Sequence, residues 1–298
     1  MQGRVSVKFH KKVRPHNISK ILFLGIFIMT CQLLGTPNQI TFFPRDAWFK
    51  PLLFDPASAQ SSASLLRFQF KNNDTPKVYS PVNLGFQKMV LHLQTGPEKG
   101  WEAGIEFGIH SQFSIVSTPT APMGGLDNTD YIIAGVVHYK HGHMVERFSL
   151  FHQSSHLGDD YLIRNNIVDP NNRTQNYEQI GYLRSIQLAR TRWYYGVGLN
   201  ISPNTVRKRR LLQSGVEYEK PLRDSDAIQF VYGADLKFYE QNDYRPNVKF
   251  GTGIRFTRDS LSGLTFLMEY YNGHLPYSTL EYQMVSWVGI GVYLQPQF

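Results

Sequence analysis

The sequence predicts an all-β chain closed into an antiparallel transmembrane β-barrel of about twelve strands. Three observations carry that prediction: a basic and apolar leader with no later apolar run long enough for a membrane helix, period-two alternation of apolar and polar residues in segment after segment, and connections that are short and long by turns. In the segment 226–238, Ile228, Phe230, Tyr232, Ala234, Leu236 and Phe238 share one face, while Gln229, Val231, Gly233, Asp235 and Lys237 share the other. A strand that meets lipid on one side and a polar lumen on the other reads this way. The competing fold is a soluble β-sandwich or lipocalin-like barrel, which would turn its apolar face inward and for which about twelve strands is many.

Residues 1–35 carry Arg4, Lys8, Lys11, Lys12, Arg14 and Lys20 with no acid, followed by the apolar run Ile21–Met29, as in a secretory signal peptide cleaved near Gly35. Without those six cations, 25 Lys and Arg face 23 Asp and Glu, so the formal charge falls from +8 to +2 and nucleic acid is not an implied partner. Cys31 is the single cysteine, which excludes a disulfide within the chain; Thr30 before it fits a lipid-modified N-terminus poorly. Residues 36–62 read as an N-terminal periplasmic extension, apolar enough around Pro51–Pro56 to pack as a plug or against the barrel rim, and 63–298 as the barrel.

Strands are expected at 63–71, 82–94, 101–116, 129–139, 143–153, 176–187, 191–201, 208–219, 226–238, 247–258, 262–272 and 284–295. The links Thr95–Gly100, Lys140–Gly142, Leu188–Arg190 and Asp259–Leu261 are short, whereas 72–81, 117–128, 154–175 and 273–283 are long, the asymmetry of periplasmic turns and external loops in the outer membrane. Trp101, Tyr139, Trp193, Tyr194, Tyr195, Tyr239, Tyr270, Tyr271 and Trp287 fall near strand ends, as interfacial girdles do. The end of the chain, Val288, Ile290, Val292, Leu294 and Phe298 on one parity, resembles the C-terminal strand by which outer-membrane assembly machinery recognises barrels, although Pro296 interrupts it.

Chemistry is concentrated in Phe151–Leu162. Alternation puts His152 and Ser154 on the same face as Phe148 and Leu150, so a potential base and nucleophile stand on an apolar, lipid-facing wall. His156 shares their parity if the strand reaches it, though Gly158 marks a turn; the basic run Arg207–Arg210 could meet lipopolysaccharide phosphates or simply be solvated. His138, His141 and His143 cluster at a proposed turn, where histidines are seldom ligands.

Three segments, Phe49–Pro56, Leu126–Tyr131 and His152–Tyr161, resemble a bacterial family known only as domain of unknown function 1207, of outer-membrane type. The chain departs from that pattern at Phe54, where a small residue is expected, and at Asp160, where Glu is expected. His152-Gln153-Ser154 is also similar to the catalytic segment of the outer-membrane phospholipase A family, twelve-stranded barrels whose Ser, His and Asn triad faces the outer leaflet. That resemblance implies Ser154 as nucleophile and His152 as base, with Asn176 at the place of the amide; the intervening loop is longer here, so residue-by-residue transfer stops at His152 and Ser154. Outer-membrane lipid A deacylases are similar with an acidic third member, for which Glu178 is the match, and Asn176 and Glu178 both share parity with Ile180 and Tyr182. The phospholipase resemblance further implies Ca²⁺ near the site, with Asp159 and Asp160 as oxygen ligands. The expected partners are outer-membrane lipids, phospholipid or lipopolysaccharide, the assembly machinery and a second copy of the chain. The alternative function is a non-catalytic barrel acting as a channel, adhesin or structural envelope protein.

Overall fold

The wall is a single antiparallel sheet that closes on itself. In the computed structural model, residues 38–115, 124–168, 175–202, 207–222, 227–257 and 263–295 are described; the leader with Cys31, and Pro296 with Phe298, lie outside them. Twelve strands form the ring: β2 (Ser61–Phe70), β3 (Asn73–Gly96), β4 (Lys99–Ser114), β5 (Gly125–His141), β6 (Met144–Leu157), β7 (Gln175–Leu188), β8 (Thr191–Asn200), β9 (Arg210–Pro221), β10 (Ile228–Tyr239), β11 (Pro246–Thr257), β12 (Gly263–His274) and β13 (Met284–Gln295). Each pairs with its chain neighbours, and β13 closes on β2, with Leu294 opposite Ser61 and Val285 opposite Phe70. A short additional strand, β1 (Gln39–Phe42), lies along the part of β3 that runs past the start of β2, Gln39 opposite Gln94.

The alternation holds as expected: along β10, Val231 and Asp235 are 0% and 1% exposed, whereas Tyr232 is 40% exposed. Among the described residues no helix is long and apolar enough to cross a membrane. Three expectations need correction. The stretch 72–81 is strand, not loop, because β3 starts at Asn73 immediately after β2. β6 continues to Leu157, which carries His156 into the wall, and a six-residue helix α1 (Asp159–Arg164) follows. Tyr194, Tyr271 and Trp287 face inward rather than joining a girdle, because neighbours along a strand must take opposite faces. Trp193, Tyr195 and Tyr270 do stand exposed on the outer wall, where Trp101 and Tyr139 also pack together, 4.5 Å between ring centroids.

The extension is a plug. After β1 the chain turns into the lumen and buries Phe49, Leu52, Leu53 and Phe54 there. Each such burial is worth about 1.5–3 kcal/mol. The plug's backbone donors meet inward carboxylates: the Trp48 N–H donates to Glu102 Oε1 (2.7 Å) and the Leu53 N–H to Glu217 Oε1 (2.6 Å). Arg192 bonds Glu217 (3.1 Å) and lies over the Phe49 ring at 4.7 Å. Asp55 is held by Lys237 Nζ (2.5 Å) and Gln213 Nε2 (2.9 Å). Burial raises the Asp55 carboxyl, but the Lys237 charge and these hydrogen bonds outweigh it and leave the group below its ordinary carboxylate range.

Gly233 and Gly251 are opposite each other on β10 and β11 and make the flat floor beneath Phe54. A Cβ at Gly233 would stand 2.5 Å from the Phe54 ring and 2.2 Å from the Val216 carbonyl oxygen. Gly233→Leu is therefore expected to destabilise the barrel by about 1–3 kcal/mol, read as a lower urea midpoint for unfolding in detergent. An unchanged midpoint would mean that Phe54 is not seated there.

The long-loop end is closed from within by residues 275–283. Leu275, Tyr277 and Leu280 pack on Phe68, Tyr79, Tyr271 and Trp287. Asp130, inward on β5, accepts from the Ser278 N–H (3.1 Å), Gln153 Nε2 (2.7 Å) and Ser155 Oγ. Arg207 points inward to Glu281, which also accepts from Asn242 Nδ2 (3.1 Å). Between the plug and the inner wall remains a cavity of about 130 Å³, bounded by Phe49, Leu52, Phe151, Tyr177 and Lys237. With both obstructions in place, the purified barrel in planar bilayers is expected to show no sustained open-channel conductance. Stable porin-like current steps would overturn the occlusion.

Candidate active site

Strands β5, β6 and β7 set the site because their alternation points one set of side chains into the lumen and the other onto the outer wall. On β6, Gln153 and Ser155 are buried and bonded to Asp130, which anchors the strand from inside. His152, Ser154 and His156 consequently project outward. The same wall carries the exposed apolar residues Phe148 and Ile180 below them and Ile133 alongside. Register places Ile133 and Tyr131 beside His152 and Ser154 on one flank, and Glu178 and Asn176 beside the same two residues on the other.

Two hydrogen-bonded pairs result. His152 Nδ1 lies 2.9 Å from Glu178 Oε1, with both side chains 46% exposed. An ionised carboxylate can only accept, so this contact puts the proton on Nδ1 and leaves Nε2 as an acceptor, the tautomer a general base needs. Ser154 Oγ lies 2.6 Å from Nε2 of His156, not His152, and the His156 ring meets Tyr131 edge-on at 6.2 Å. Asn176 is exposed directly opposite Ser154. The sequence-predicted residues are thus neighbours, but the contacts divide between two imidazoles.

Ser202 went unnoticed in the sequence. Its hydroxyl bonds the second oxygen of Glu178 and receives the Glu178 N–H (2.5 Å), while the Ile201 N–H donates to the Glu178 carbonyl (2.9 Å). Glu178 is thereby oriented toward His152. Ser202 follows the end of β8, where alternation has stopped, so no periodic signal marks it.

The remaining candidates separate. Asp160 accepts the Leu126 N–H at 2.9 Å, and Asp159 is exposed in the first turn of α1. Calcium takes six to eight oxygens, and among the described residues no group of three or more His, Cys, Asp or Glu is placed to hold a metal. The two aspartates alone do not fit the ion, and no chemical step is assigned to it. His138 is buried against Glu102 (Nδ1 to Oε1, 2.6 Å) while His141 and His143 are exposed, so the three do not converge.

The model of the family described as "Protein of unknown function (DUF1207)" matches residues 29–295. The chain belongs to this family. Among solved structures, this DUF1207 protein is similar to the outer membrane phospholipase A from Escherichia coli: 12% identity, TM-score 0.51, covering 84% of this chain and 100% of that one. An active-site mutant of the same Escherichia coli enzyme gives 12% identity, TM-score 0.51 and coverages of 84% and 94%. The KdgM porin is more distant, with 8–9% identity over 77% of this chain and 97% of that one and TM-scores of 0.37–0.38. At these identities the likeness is one of fold: a closed antiparallel outer-membrane-type barrel. No curated protein sequence matches the chain.

Proposed function

We propose that this DUF1207 protein is an outer-membrane hydrolase of envelope lipid esters, with Ser154 as nucleophile and His152, oriented by Glu178, as general base. The observation that carries the reading is that Ser154 is hydrogen-bonded to the His156 imidazole and Glu178 to the neighbouring His152 imidazole on the barrel's outer wall, beside exposed Ile133 and next to exposed Phe148 and Ile180. Polar groups on a lipid-facing wall are costly and mark function. The long-loop end is taken as external, which sets these residues at the headgroup level of the outer leaflet, where an ester carbonyl lies.

In the chemistry, Ser154 Oγ attacks the ester carbonyl as its proton passes to an imidazole Nε2, and the imidazolium returns that proton to the departing alcohol. Water then attacks the acyl-serine by the same route, releasing fatty acid. Glu178 stabilises the imidazolium and does not itself take the proton; Asn176, beside Ser154, is the other candidate for that orienting role. His156 holds the Ser154 hydroxyl in the resting arrangement, and catalytic hydrogen bonds often realign only with substrate bound. The test is direct: purified protein in mixed micelles, with and without Ca²⁺, should release fatty acid from phospholipid or from lipid A. No release from either lipid class would leave the non-catalytic envelope barrel as the reading.

A further inference from the structure

The outward face that holds the site continues around the wall to a basic pair that the reaction does not use. Leu150 on β6 is opposite Ile180 on β7, Ile180 opposite Leu199 on β8, and Leu199 opposite Arg210 on β9. Arg210 is therefore in register with Leu150, one outward position along the strand from His152 and two from Ser154, and Lys208 lies just before β9 begins. The basic run divides here: Arg207 turns inward to Glu281, whereas Lys208 and Arg210 are exposed.

Arg210 is opposite Leu199 and two residues before Leu212, each 47% exposed, so its long side chain starts from the outer apolar surface and can carry the guanidinium toward a polar edge. Its backbone N–H is bonded to Glu240 Oε2 (3.1 Å), but its side chain forms no ion pair with a described residue. Lys208 reaches Asp243 at 3.0 Å, and that carboxylate is 80% exposed, a solvated pair that an incoming anion can replace. A guanidinium with an ammonium beside it, at the edge of an apolar surface, is suited to a phosphoryl group.

Separation selects the kind of phosphate. Three strand spacings lie between β6 and β9, and Arg210 is in register with Leu150, four residues along the strand from Ser154, so the two backbone positions are about 20 Å apart at the usual interstrand distance and rise per residue. Even after the reach of the Arg210 side chain this is further than the phosphate of a glycerophospholipid stands from its own ester carbonyls. A phosphorylated sugar lipid, with its phosphate carried at one end of a saccharide and acyl esters along it, spans that interval. Building on the Ser154 reading, we infer that Arg210 and Lys208 hold a phosphoryl group of the lipid whose ester is presented to Ser154, and that the substrate class is a phosphorylated glycolipid.

The test measures binding separately from turnover. Ser154→Ala protein in one detergent is titrated with lipid A, with the same lipid after removal of its phosphates, and with phosphatidylethanolamine, and each titration is repeated with Lys208→Gln and Arg210→Gln added. Lipid A affinity should fall roughly tenfold or more in the doubly substituted protein, with phosphate-free lipid and phosphatidylethanolamine unchanged. Equal affinity with and without the substitutions, or the same loss for phosphate-free lipid, would overturn the inference; so would displacement of lipid A by inorganic phosphate at matched concentration, which would reduce the site to a simple anion site. Phosphate-dependent binding in a protein that releases no fatty acid before Ser154 is altered would remove the hydrolase reading and leave the phosphoryl subsite standing.

Discussion

Ser154→Ala is expected to lower fatty-acid release from micellar lipid by roughly four orders of magnitude or more, the scale seen when a serine nucleophile is removed. The barrel should remain folded and show heat-modifiable migration like the parent, because an exposed side chain on the outer wall with one hydrogen bond contributes little to stability. His152→Ala should cost about as much, and the double substitution no more than either alone, since groups acting as one unit are strongly non-additive. Glu178→Ala should cause a large but incomplete loss, acting through the orientation of His152. Ser202→Ala should lower kcat more than it raises KM, because Ser202 holds Glu178 and does not line the lipid surface beside Ser154. If His156→Ala is as damaging as Ser154→Ala while His152→Ala retains the parental rate, the base is His156; if Asn176→Ala shows the deficit expected of Glu178→Ala, the amide is the orienting group. Parental activity in Ser154→Ala would end the proposal.

The largest effect on stability is expected from Lys237→Met. It would leave Asp55 in the plug and Asp235 in the wall buried without their cation, while Gln213 bridges the two carboxylates at 2.9 and 2.8 Å. Breaking a buried ion pair by removing one partner costs about 3–5 kcal/mol. The urea midpoint of the detergent-folded barrel should fall accordingly, and Asp55→Asn added to Lys237→Met should recover part of the loss. An additive double variant would show that the two do not interact. Acid should reproduce part of the effect: Asp55 sits below its ordinary value when folded, so its stabilisation is complete above the unfolded carboxylate pKa, about 3.9, and is lost as pH falls through the lower, folded value. Release of the plug would appear as new protease cleavage at Pro51–Pro56, a segment protected while Leu52, Leu53 and Phe54 are buried.

Local periodicity determined the wall. Alternation at Ile228–Phe238 and its counterparts located all twelve strands of the ring and sorted Val231, Asp235 and Lys237 inward, because one face of every strand is the outer wall and the other the lumen. The same alternation placed His152, Ser154, Asn176 and Glu178 on the outside. It could not say which groups touch, since parity fixes the face of a strand and leaves open the register between strands, the rotamers and the residues beyond strand ends. Only the closed barrel pairs His152 with Glu178, turns Ser154 to His156 and brings Ser202 behind Glu178 from just past the end of β8, a strand not adjacent to β6. The plug follows the same division. The apolar character of Pro51–Pro56 was visible in the sequence, but its seat on Gly233 and Gly251, and the Lys237 ammonium that receives Asp55 from 182 positions along the chain, depend on contacts that exist only once the ring has closed.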